Sequence, residues 1–152
     1  MFKRSLVFMV GMAFVLSMAN VGFSADTAPP PPMNPKVKEM IASAKAAVKK
    51  VPAEAVKAAI DSKEKAIILD VRDPGEFAAG HLPGAINISR GTLEMNVFGK
   101  IPDENAKIYV YCKTAGRSSL ATKTLNDLGY KNACLMDAQY ADWVTAGYPV
   151  ER

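Results

Sequence analysis

The sequence predicts an α/β domain with a mostly parallel central sheet, and three observations predict it. Short, nearly continuous apolar runs at Ala66 to Val71, Lys107 to Tyr111 and Asn132 to Met136 have the look of strands buried on both faces. Between them lie segments whose apolar residues recur at spacings of three and four, as helices require. Glycine and proline punctuate the junctions, and strands that alternate with helices over this length favour parallel pairing.

The first segment stands apart from that pattern. Met1-Phe2-Lys3-Arg4 is a short basic start, Leu6 to Ala19 carries no charge, and small residues follow at Ser17, Ala19, Gly22, Ser24 and Ala25. This order is that of a secretory signal peptide over residues 1–25, with cleavage between 19 and 25. The alternative is an uncleaved anchor, because the stretch approaches the roughly 20 residues that span a bilayer. Export follows in both cases: periplasmic in a Gram-negative bacterium, otherwise secreted or held by the signal. Once cleaved, nothing else in the chain calls for a membrane. Residues 26–35, with Pro29 to Pro32, form a stiff proline-rich linker.

From residue 36 to 51 the apolar residues Val37, Met40, Ile41, Ala44, Val48 and Val51 fall on one helical face with lysines between them. This predicts an extra N-terminal amphipathic helix packed on the body of the domain, with a partner-binding helix as the alternative. The domain proper is placed at 52–152. Pro52 opens a helix that continues from Ala53 to Ile60. Ala66 to Val71 is the first strand, Asp73 to Glu76 a turn, Phe77 to Ala79 a helical turn, and Ala85 to Ile88 a second strand. Thr92 to Val97 has helical character. Lys107 to Tyr111 is the third strand, and a helix starting near Ser118 runs to Gly129 as its cap. Asn132 to Met136 is a further strand, and Ala138 to Ala146 a last helix closed by Gly147 and Pro149.

The chemistry concentrates after the third strand. Cys112 stands at its carboxyl end, followed by Lys113, Thr114, Ala115, Gly116, Arg117 and Ser118. Open parallel sheets bind ligands at that edge, and a tight turn into a helix directs backbone N–H groups inward as an anion nest. Such amides, the helix dipole and the cations Lys113 and Arg117 favour a thiolate, which is the nucleophilic form. Gly116 is expected to supply unusual backbone angles, and Ser118 to cap the helix. His81, the single histidine, lies in a turn and is expected to be structural, leaving Cys112 without a neighbouring base. Cys134, inside a strand pattern, is expected to be a core thiol. One histidine and two separated cysteines make no metal-ligand cluster, and no glycine-rich nucleotide loop is present. Neither a metal nor another cofactor is expected. The basic residues are scattered, which gives nucleic acid no footprint.

Four stretches, in this order and spacing, resemble a rhodanese domain over roughly Val51 to Glu151. They are Leu69 to Phe77, Gly80 to Ile88, Tyr111 to Ser118 and Trp143 to Val150. The resemblance implies a small rhodanese-like fold with a five-stranded sheet flanked by helices. It also implies a Cys112 persulfide cradled by the loop Lys113 to Arg117, with Asp70 and Arg72 in support. The expected activity is sulfur transfer from an anionic donor such as thiosulfate, or a persulfide, to a thiol or cyanide. A protein acceptor, for a sulfur carrier or binding module with little small-molecule turnover, is the alternative. Two departures are visible: the family often has glycine at the position of Ala115, and a Gly-Gly pair where this chain has Ala138-Gln139. The cysteine phosphatases that share the fold have five residues between Cys and Arg, whereas four separate Cys112 from Arg117.

Overall fold

The computed structural model describes residues 32–152. The signal segment and all of the linker before Pro32 lie outside the described residues. Helix α1 (Pro35–Ala47) begins with Asn34 accepting a hydrogen bond from the Lys36 N–H at 2.9 Å, and Pro35 needs no N–H partner there. The helix stops four residues earlier than its apolar spacing suggests. Val48 is extended, and Lys50–Val51 form strand β1, so the sheet starts inside the segment read as helix. Apolar residues at Val48 and Val51 suit a helix face and a short strand equally, and a two-residue strand has no period of its own to reveal it.

Helix α2 (Ala53–Asp61) leads to β2 (Ile67–Asp70), then α3 (Pro74–Ala79) and β3 (Ile86–Asn87). A single 3₁₀ turn at Arg90–Thr92 runs into α4 (Leu93–Lys100). Strand β4 (Ile108–Tyr111), α5 (Gly116–Asp127), β5 (Ala133–Met136) and α6 (Tyr140–Thr145) complete the order. Five strands make one sheet in the order β1-β5-β4-β2-β3, and every pairing is parallel.

Alternate residues of the central strands feed two cores. Ile108, Val110 and Cys112 face α4 and α5 with Leu93, Val97, Ala121 and Leu125. Tyr109 and Tyr111 face the other side with Val56, Leu82, Met136 and Trp143. Trp143 is wholly buried and donates its indole N–H to the Pro149 carbonyl at 2.9 Å, which explains why the C-terminal stretch folds back on α6. Helix α1 lies against α5, with Ala44 and Val48 buried and Val37 and Met40 exposed.

The topology places the site. After β2 the chain turns outward to β3, and after β4 it turns the opposite way to β5. The crevice between the carboxyl ends of β2 and β4 is therefore the point where the winding reverses, where open parallel sheets leave room for a ligand.

Candidate functional site

Both chain segments at that crevice belong to the sequence-predicted site. Cys112 follows the last residue of β4 and is completely buried. The Tyr140 N–H donates to its carbonyl at 3.3 Å, which fixes the strand end against α6. Its sulfur accepts the Ser118 N–H at 3.3 Å and lies 3.3 Å from the Ser118 hydroxyl.

The turn around this sulfur differs from the sequence expectation in two ways. The left-handed residue is Ala115, with φ 64° and ψ −10°, and not Gly116. Ala115 is the N-cap residue, Gly116 the first of α5, and Ser118 lies inside the first turn, so Ser118 is no cap. The Ala115 carbonyl instead accepts from the hydroxyls of Ser119 at 2.6 Å and Ser118 at 3.2 Å, which pins the turn. Gly116 has a packing role: a Cβ there would sit 3.3 Å from Cδ1 of Ile41 on α1.

The consequence is a run of free donors. The backbone N–H groups of Lys113, Thr114, Ala115, Gly116 and Arg117 donate to no protein acceptor among the described residues, while the Ser118 N–H reaches the sulfur. Successive free amides at a helix start are an anion nest.

The charges divide unequally. Lys113 and Thr114 are exposed. Arg117 is not the free cation that the sequence suggests: it donates to Glu76 at 2.7 and 3.1 Å and reaches Asp73 at 3.3 Å. The Glu76 carboxylate, foremost, holds the Arg117 guanidinium above its ordinary value against the effect of burial, and the Cys112 sulfur adds to it. Arg117 in turn draws the Glu76 carboxyl below the usual carboxylate range. Sequence reasoning missed Glu76 and Asp73. Their spacing carried a signal, because Glu76 accepts the Asp73 N–H at 3.2 Å as in a capping box, but the partner 41 residues away did not.

Asp70 and Arg72, read from the sequence as supports, lie at the carboxyl end of β2, beside the end of β4. Both are buried, and Arg72 donates to Asp70 through its backbone N–H at 2.8 Å and through Nη2 at 2.6 Å. The same Nη2 donates to the Gly80 carbonyl at 2.7 Å, and the guanidinium carbon lies 4.0 Å from the centre of the Tyr140 ring. Burial is the largest single influence and works to lower the Arg72 value, but the Asp70 hydrogen bond, the Asp70 charge and Tyr111 together outweigh it and hold the guanidinium above its ordinary value. The Val71 N–H donates to the Tyr111 carbonyl at 3.1 Å, coupling this pair to the residue before Cys112. Burial, and then the Asp70 charge, push the Tyr111 phenol above its usual range.

His81 lies apart from the loop's interactions. Its ring stacks on Phe77 at 3.8 Å and Nδ1 is 3.0 Å from the Phe77 carbonyl, so it joins α3 to the C-terminal bridge with Glu151. Cys134 faces the opposite core, 3.7 Å from the Asn132 carbonyl, and burial pushes its thiol up. Both cysteines are free.

Residues 52–146 match the family model of the rhodanese-like domain. Among curated proteins, the chain is 34% identical over 90 residues to YrkF of Bacillus subtilis, provisionally named a sulfur carrier protein, which covers 59% of this chain and 48% of YrkF. It is 34% identical over 62 residues to the thiosulfate sulfurtransferase PspE of Escherichia coli, covering 41% of this chain and 60% of PspE. The chain thus spans about half to three fifths of the length of these relatives. Among solved structures, a Rhodopseudomonas palustris protein described as of unknown function and a possible tyrosine phosphatase aligns with a TM-score of 0.68 and 28% identity, over 82% of this chain and 100% of that one.

Proposed function

We propose, from the premise that this chain belongs to the rhodanese-like domain family, that it is an exported sulfurtransferase working through a persulfide on Cys112. The observation that carries this reading is the run of five unpaired amides between Cys112 and Ser118, read as a cup closing over a sulfur that already accepts the Ser118 N–H. Such a cup stabilises negative charge on an atom one bond beyond Sγ, where the outer persulfide sulfur sits.

The first half-reaction uses an anionic donor such as thiosulfate. The Cys112 thiolate attacks the sulfane sulfur, a new S–S bond forms, and the donor's own S–S bond breaks to release sulfite with its electron pair. In the second half-reaction a thiolate or cyanide attacks the outer sulfur and the pair returns to Sγ. No proton has to be removed from the nucleophile beyond its own, which agrees with His81 being occupied elsewhere. Complete burial of Cys112 favours a donor that presents one terminal atom over one that presents a bulky group.

A tyrosine phosphatase activity, considered possible for the Rhodopseudomonas protein, does not fit this loop. Four residues separate Cys112 from Arg117, and Arg117 is engaged by Glu76 and Asp73 where a phosphoryl group needs its charge. A carrier that passes sulfur to a protein acceptor uses the same persulfide and differs only in turnover.

Intact mass of the mature protein after thiosulfate tests the reading. The expected result is a gain of one sulfur atom, removed by cyanide and absent from Cys112→Ser. Absence of the adduct with thiosulfate, polysulfide and an organic persulfide alike overturns it.

A further inference from the structure

The positive charge of the Cys112 loop is cancelled from another part of the chain. Arg117 is the only arginine of the loop, and both its outer nitrogens are spent on Glu76. Nη1 donates to Oε2 at 2.7 Å and Nη2 to Oε1 at 3.1 Å, the forked geometry in which a guanidinium holds a carboxylate most firmly. Asp73 adds a second carboxylate 3.3 Å from Nη1. Two negative charges therefore face one positive charge.

Both carboxylates are set before any ligand arrives. Pro74 opens α3, Glu76 accepts the Asp73 N–H at 3.2 Å, and Asp73 accepts the Ser89 hydroxyl at 3.1 Å. The Glu76 and Arg117 side chains are 30% and 32% exposed, so water screens this pair less than a surface pair. The Cys112 sulfur acts on the Arg117 charge, which puts the clamp within electrostatic reach of the reacting atom. Arg72, the other arginine at this end of the sheet, is spent on Asp70. Lys113 is the one remaining cation of the loop, and it forms no ion pair among the described residues.

A run of backbone amides suits one concentrated negative charge. A donor such as thiosulfate brings a second charge on its sulfite end, and the cation nearest the loop's inner turn is already occupied. We propose that Glu76, assisted by Asp73, is a specificity-determining residue of the sulfur-transfer reaction: by holding Arg117, it penalises donors that carry two negative charges relative to donors that carry one. The inference rests on reading Cys112 as the sulfur-carrying thiol. Glu76 acts on the donor through Arg117 and takes no part in bond making.

The test compares two donors on the full exported chain, thiosulfate with two charges and benzenethiosulfonate with one. The readout is the ratio of their kcat/KM values, which does not depend on the fraction of active protein. Glu76→Gln is expected to raise the ratio of thiosulfate to benzenethiosulfonate by about fivefold, the scale of removing one charge beside a partly solvated site. Asp73→Asn, which keeps a good helix cap, is expected to raise it by about twofold. In an Arg117→Gln background the gain from Glu76→Gln is expected to fall below about twofold, because the two residues act as a unit. Glu64→Gln removes the same charge from the pair with Lys107, ahead of β2 and β4 at the amino edge of the sheet, and is expected to leave the ratio unchanged. An unchanged or lower ratio in Glu76→Gln overturns the proposal, as does the same result in Asp73→Asn should the first variant not fold. An equal rise in Glu64→Gln, or the full gain without Arg117, overturns it too. Intact mass after each donor separates this inference from the one beneath it. A Cys112 persulfide with a ratio insensitive to Glu76 overturns this inference alone, whereas no persulfide from either donor overturns the sulfurtransferase reading and this inference with it.

Discussion

Cys112 and Cys134 belong to neighbouring parallel strands, and both are almost wholly buried, at 0% and 4% exposure. Cys134 sits within β5, register-paired to Tyr109 of β4, in the core that holds Tyr109, Met136 and Trp143. Cys112 sits one residue beyond β4, where the ladder has ended and the chain turns into a helix. The Cys134 sulfur meets a carbonyl at 3.7 Å, and burial pushes its thiol up. The Cys112 sulfur meets an N–H at 3.3 Å, next to a run of unpaired amides in the chain. Burial alone therefore does not make a thiol inert or reactive. What distinguishes the two is whether the surrounding backbone has spare donors: the turn from β4 into α5 leaves them, and the paired strand β5 does not.

The sharpest way to break that comparison is to exchange the consequences. Cys112→Ser is expected to lower sulfur-transfer turnover by roughly 10³-fold or more, because the nucleophile itself is lost. Cys134→Ala is expected to leave turnover within about threefold while lowering stability by about 1 kcal/mol, the effect of a small void in a packed core. Steady-state rates and urea midpoints on both variants read this crossed pattern. Comparable loss of turnover in Cys134→Ala would show that the second thiol takes part in the chemistry.

Much of this contrast was legible in the sequence. The strands announce themselves as apolar runs bounded by Gly, Pro and charged residues, and Cys112 with Gly116, Arg117 and Ser118 between a strand and a helix marks the site. What was not legible depends on partners distant in the chain or on residues without a signature. Val48 and Val51 satisfy a helical period as well as a strand. Alanine gives no hint of a left-handed backbone, so attention falls on the glycine beside it. The pairing of Arg117 with Glu76 bridges two loops that meet only because β2 and β4 are neighbours. The packing of α1 on α5 likewise joins segments that are far apart in the chain.

A second difference between the two strands lies in what supports them. The end of β4 is braced by the buried Asp70–Arg72 pair, while the charges that act on Cys134 are those of the exposed Lys49 and Lys107. Arg72→Met is expected to cost about 3–5 kcal/mol, because Asp70 is left as an uncompensated buried carboxylate. Adding Asp70→Asn to that variant is expected to recover part of the loss. Chemical denaturation of the single and double variants provides the cycle. A loss below about 1 kcal/mol in Arg72→Met would mean that the pair is well solvated and does not hold the loop's base.

The smallest expected effect probes the turn itself. Ala115 holds φ 64°, a conformation that costs a residue with a Cβ about 1–2 kcal/mol. Glycine removes that strain but gains unfolded-state entropy worth about 0.4–1 kcal/mol. Ala115→Gly is therefore expected to stabilise the protein by up to about 1 kcal/mol, seen as a rise of a few degrees in Tm. The hydrogen bonds to the Ala115 carbonyl from Ser118 and Ser119 involve no side-chain atom of Ala115, so the substitution leaves them in place. Turnover is expected to stay within about twofold, since the amides that form the cup are unchanged. A clear loss of stability would show that the alanine methyl packs usefully in the turn. It would also show that the strain is offset there, and would move the origin of the cup's shape from Ala115 to the serines that clasp its carbonyl.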